Sequence, residues 1–155
     1  MKNHIAIVVL GLMSVGLAQS AAAYSVSPLN TAYTATGPAT IRTAAGSVIN
    51  CTLTITGRTL SNGKAKTFTA AFSAGDAACV NTTASDLPWM SPVLNATTLK
   101  LEHFTVTTPD GTCGPIMIRP ADNASGVWTV TNASVPPGCT FSATLATTPA
   151  ITIVP

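Results

Sequence analysis

The octet Ile-Asn-Cys-Thr-Leu-Thr-Ile-Thr at residues 49–56 restricts the fold more than any other stretch of the chain. Ile49, Cys51, Leu53 and Ile55 fall in one phase, and Asn50, Thr52, Thr54 and Thr56 fall in the other. Strand side chains alternate between faces, so this period of two predicts a strand buried on one side and wet on the other. An Asn-Gly pair follows within Ser61–Lys64 and marks a hairpin turn. The return strand, Lys-Thr-Phe-Thr-Ala-Ala-Phe, is expected to point Phe68, Ala70 and Phe72 inward.

The same grammar recurs along the chain. Ala32–Thr36 is a candidate strand. The stretch from Thr98 to Thr108 holds Leu99 and Leu101 in one phase, then Phe104 and Val106 in the other. That slip near Glu102 and His103 predicts a β-bulge. Pro115–Pro120 encloses a short strand. Trp128, Val130 and Asn132 share one expected face, as do Cys139, Phe141, Ala143 and Leu145, and Ile151–Val154 makes a last strand. No amphipathic helical period appears after the first two dozen residues. Seven to nine short strands with Gly, Pro and Asn between them imply an all-β domain. The expected architecture is a single antiparallel β-sandwich spanning residues 24–155, Ig-like in architecture only.

The N-terminus has a different character. Lys2 precedes an apolar run from Ile5 to Ala18, and Ala21–Ala23 places small residues before Tyr24. This is the pattern of a cleaved secretory signal peptide over residues 1–23. The apolar run is shorter than the roughly 20 residues a membrane-spanning helix needs. The expectation is a protein secreted to the cell surface or medium, or held in the periplasm, with no transmembrane segment after residue 23.

Export gives the cysteines their meaning. Cys51, Cys79, Cys113 and Cys139 are an even set behind an export signal, which reads as a disulfide framework with three connectivities. The sequential pairing, Cys51–Cys79 and Cys113–Cys139, is favoured because it closes two loops of similar size. Each closure is worth about 3.5 kcal/mol by chain entropy. The wide spacing does not suit zinc. A catalytic thiol would need a base, and His103 is the one histidine after the leader.

Composition narrows function further. Charged residues make up 8% of the chain, against about 25% in an ordinary domain. Without a basic stripe, nucleic acid is not an expected partner. Threonine is about a fifth of residues 24–155. Such a surface is wet but has little charge to hold molecules apart. Asp76, Asp110 and Asp122 sit in turn-rich contexts, and neither they nor Asp86 and Glu102 suggest the facing pair a glycosidase needs. No Gly-x-Ser-x-Gly occurs. No catalytic residue, metal ligand or cofactor is expected. Asn50, Asn81, Asn95, Asn123 and Asn132 each begin an Asn-x-Ser/Thr sequon.

One apolar stretch stands apart. In Asp86–Pro92, Leu87, Trp89 and Met90 lie among two prolines that disfavour a central strand. Two placements follow: a loop tucking Trp89 under a sheet edge, or an exposed apolar patch for oil, lipid or a neighbouring subunit.

The order of these pieces carries a resemblance. Ser25–Pro38, Ile49–Gly57, Leu87–Trp89, Thr108–Pro115 and Asn132–Ile153 together resemble the bacterial, pseudomonad-type secreted proteins called alkane oxidation protein activators. The resemblance spans nearly all of residues 24–155, and the cysteines match its pattern. It implies an exported protein, not itself an enzyme, that promotes alkane use by emulsifying or adsorbing to hydrocarbon, with cell-surface and biofilm associations. Threonine methyls and Trp89 would touch oil while hydroxyls stay wet. The alternative is a structural matrix or fibre subunit that self-assembles by adding strands to a neighbour's sheet edge. The expected partners are a hydrocarbon interface, cell-surface components, or further copies of the chain.

Overall fold

The computed structural model describes residues 23–155, so the signal peptide expected over residues 1–23 lies almost wholly outside the described residues. In chain order the strands are β1 (Ser25–Ser27), β2 (Ala32–Arg42), β3 (Val48–Thr59) and β4 (Ala65–Gly75). A 3-10 helix, Ala77–Asn81, leads to four short strands and one longer one: β5 (Thr83–Ser85), β6 (Trp89–Ser91), β7 (Val93–Asn95), β8 (Thr98–Leu99) and then β9 (Leu101–Thr108). The rest are β10 (Gly111–Ile118), β11 (Ala121–Asp122), β12 (Val127–Val135), β13 (Cys139–Thr148) and β14 (Thr152–Val154).

The molecule is all-β, but its layers are not those of a two-sheet sandwich. Twelve strands belong to one sheet, running β10-β9-β5-β4-β3-β2-β13-β12-β11-β8-β7, with β6 attached to β4. The described pairings are antiparallel. The ladder passes from β4 to β9 through the three-residue β5, where Thr83 pairs with both Ala71 and Thr107. This hydrogen-bonded bridge replaces the gap a sandwich would have, so one sheet curls into a half-barrel. Its far end folds back: the Gly114 N–H donates to the Pro136 carbonyl at 2.7 Å, tying β10 to the β12–β13 turn.

The two disulfides act at these closures. Cys51–Cys79 pins the 3-10 helix to β3, and Cys113–Cys139 links β10 to β13 across the curl. Each removes roughly 3.5 kcal/mol of chain entropy from the unfolded state.

The interior follows from the alternation. On β3, Ile49, Cys51, Leu53 and Ile55 are buried, while the threonines between them reach the outside. Cys139, Phe141, Ala143 and Leu145 of β13 point to the same core. The expected bulge on β9 is present: Ile116 and Ile118 face Phe104 and Leu101, so β9 carries an extra residue there. His103 takes the strain at φ 59°.

Two other bulges correct the sequence reading. On β4, Thr69 pairs with Thr56 and Thr67 pairs with Gly57, which leaves Phe68 as the unpaired extra residue. The phase flips, so Thr67 is buried and Phe68 points outward with 47% of its surface exposed. On β12, the register shifts between Val130 and Ala133. Asn132, at φ 46°, leaves the face of Trp128 and Val130 and is exposed; its N–H donates to the Ser142 hydroxyl at 2.9 Å.

The ends of the described chain pair with each other. β1 and β14 form a separate ribbon in which Val26 faces Ile153. The Val26 N–H donates to Gly63 in the β3–β4 turn at 2.9 Å. Gly63 is needed there: its φ is 76°, and a Cβ would lie 2.6 Å from the Cβ of Ser25.

Candidate functional site

Trp89 is not a surface residue. Its flanking prolines permit the three-residue edge strand β6, which pairs Trp89 with Thr67, Met90 with Lys66 and Ser91 with Ala65. Thr67 faces inward because of the Phe68 bulge, and Trp89 shares its face. Only 1% of Trp89 is exposed. Its indole N–H donates to the Ser85 carbonyl at 2.9 Å. Its ring lies 5.2 Å from that of Phe104, which in turn lies 4.6 Å from Phe141. Leu87 and Met90 are half-buried. The exposed patch proposed at Leu87, Trp89 and Met90 is therefore corrected: an edge ladder and a buried N–H bond turn the indole into the core.

The space beside Trp89 is no hydrocarbon pocket. A cavity of about 40 Å³ lies among Leu53, Trp89, Leu99, Phe104, Trp128 and Phe141. A cavity that takes up benzene measures about 150 Å³. Alkane chains do not fit there without opening the sheet.

The polar candidates are engaged locally. Asp76 accepts from the Asn50 N–H at 2.7 Å, and Asp86 accepts from the Thr105 hydroxyl at 2.6 Å. Hydroxyls of Ser47 and Thr43 donate to Asp110 and hold its carboxyl below the usual carboxylate range. Lys100 donates to Glu102 at 2.8 Å and lowers that carboxyl likewise. Asp122 is buried and accepts the Ile153 N–H at 3.1 Å, anchoring β14. His103 is exposed at its bulge, and all four cysteines are in disulfides. Among the described residues no cluster of three His, Cys, Asp or Glu side chains could hold a metal.

What the structure does assemble is an ordered outer face. Register partners run from Thr107 through Thr83, Ala71, Thr54 and Thr36 to Ala146, one residue per strand. A second rank joins Thr69, Thr56 and Thr34 to Thr148. Neighbouring members sit one strand apart, about 4.7–4.9 Å. Some of the hydroxyls pair across the strands: Thr36 donates to Thr54 at 3.0 Å, Thr56 and Thr69 share a bond of 2.6 Å, and Thr40 donates to the Asn50 side-chain carbonyl oxygen at 3.0 Å. The sequence showed two of these threonines, Thr54 and Thr56, on one face of β3. It could not show the ranks, because register between distant strands leaves no local signal.

These observations define a sparsely charged all-β scaffold stapled by two disulfides, with its carboxylates tied to neighbouring side chains and backbone. The family described as alkane oxidation protein activator PraA/PraB-like matches residues 1–155, and the chain belongs to it. No curated protein and no solved structure matches the chain.

Proposed function

We propose that this protein is exported and promotes alkane use without catalysing a reaction, by adsorbing where liquid hydrocarbon meets water and dispersing the oil. The full-length family match carries the reading. The low charge of the chain, 8%, favours adsorption because few ionised side chains, the costliest to strip of water, have to be kept wet. Residues 1–23 serve as the export leader in this reading, and the domain works outside the inner membrane or at the cell surface. No helix among the described residues is long and apolar enough to cross a membrane.

The test is to purify the protein and follow hexadecane–water interfacial tension while measuring its size distribution. A concentration-dependent fall in tension from monomer is the expected result. An unchanged tension sinks the reading.

One observation favours a second reading. Among the described residues the sheet path is open, and β7 at its end has β8 as its one strand neighbour. An open edge can accept a strand from another copy. Ladders or filaments in the size distribution, with no effect on tension, would establish a fibre or matrix subunit instead.

A further inference from the structure

We propose that the threonine-ranked outer face of β2, β3, β4 and β13 is the surface that meets hydrocarbon. This rests on the reading of the protein as an interfacial adsorber. Three observations carry it.

The first is charge. Outward positions on these four strands carry Arg42 near one end and Arg58 with its partner Lys66 near the other. Between them the outward side chains are Thr, Ala, Ser, Pro, Asn and the bulged Phe68. Asp76, which accepts from the Asn50 N–H and amide, adds a carboxylate at the margin where β4 ends. An uncharged field with its charges confined to the margin matches an uncharged liquid bounded by water. Arginine and lysine can lie along the rim and keep their heads wet.

The second is the state of the hydroxyls. Oil strips water from whatever it covers, and a hydroxyl left without a partner then opposes the contact. Here Thr36 bonds Thr54 and Thr56 bonds Thr69 within the face. Those two bonds survive the loss of water, which lowers the cost of covering the centre of the face, and the methyl groups remain for contact. A sheet of unpaired serines would lack both properties.

The third is relief. The Phe68 bulge raises an aromatic ring from the otherwise low face, with the Lys66 ammonium 5.5 Å from its centre. Beside it a surface groove of about 400 Å³ is lined by Thr34, Thr56, Arg58, Phe68 and Thr148. The groove is shallow and open, so an alkyl segment can lie along it beside the Phe68 ring without being enclosed.

The test uses the full exported protein and hexadecane–water tension, with thermal unfolding as the check on folding. Thr36→Lys/Thr56→Lys places two charges in the field, and Met117→Lys places one on β10, where Met117 is exposed. The first variant should need about tenfold more protein for the same fall in tension, and the second less than about twofold more. A folded Thr36→Lys/Thr56→Lys protein that adsorbs like the parent overturns the assignment, as does an equal loss in Met117→Lys. If the double-lysine variant does not fold, Thr36→Val/Thr54→Val decides. It keeps shape and removes a hydroxyl pair, so adsorption should hold or strengthen; a loss refutes methyl contact. If the parent protein leaves tension unchanged, the adsorption reading itself fails and takes this surface with it.

Discussion

The two faces of β3 are built on one backbone and obey different rules. Its inner side chains, Cys51, Leu53 and Ile55, are buried against residues from across the curl. There, volume decides, because interiors are close-packed and a lost side chain leaves a hole. Its outer side chains, Thr52, Thr54 and Thr56, meet their partners on the adjacent strands. There, cross-strand pairs of modest worth decide, each about 0.2–1 kcal/mol. The inner face therefore holds the fold, while the outer face is free to be chosen for what it touches.

The sharpest way to break this contrast is Trp89→Ala. An indole that is 1% exposed and bonded to Ser85 should cost about 3–5 kcal/mol on truncation, read from the denaturant midpoint. A loss below about 1 kcal/mol would place Trp89 with the outer face and dissolve the comparison.

Tyr33 tests the inner face by pH. Its ring packs edge-on against Trp128 at 5.3 Å, and its hydroxyl bonds Thr67 at 3.0 Å. Burial pushes the phenol up to about 12 from 10.0, with the Thr67 bond acting in the opposite direction. Folding thus favours the protonated phenol. The stability this gives is complete below pH 10 and is lost as pH rises through about 12. The loss should reach about 2–3 kcal/mol, at roughly 1.36 kcal/mol per pH unit. In a Tyr24→Phe variant, phenolate absorbance should rise only near the folded value or on unfolding. Titration of Tyr33 at its ordinary value in folded protein would show that water reaches it.

The smallest effect sharpens the contrast from outside. Phe68 and Phe72 are both on β4, but Phe68 is 47% exposed and Phe72 is 7% exposed. Phe68→Ala should change stability by no more than about 0.5 kcal/mol, as surface substitutions do. Equal losses at the two positions, measured by the same unfolding experiment, would show that the bulge does not turn Phe68 outward.

The sequence by itself determined the longer strands and much of the inward face, while short pieces such as β5, β6 and β8 left no period to read. Alternation is a local property, so Leu53, Ile55, Phe141 and Leu145 could be placed from spacing alone. The slip at His103 was legible because the bulge displaced large apolar residues, Leu101 and Phe104, on either side. The bulges at Phe68 and Asn132 were not, since the flanking Thr and Ala fit either face. Tertiary structure alone decided where Trp89 went, because its burial depends on β6 pairing with β4, two dozen residues earlier in the chain. It also decided that one sheet curls continuously, through a three-residue β5 too short to carry a period. The ranks of threonine are the extreme case. Each threonine is dictated locally by alternation, but their alignment comes from hydrogen-bond register between strands, which is fixed only when the strands pair.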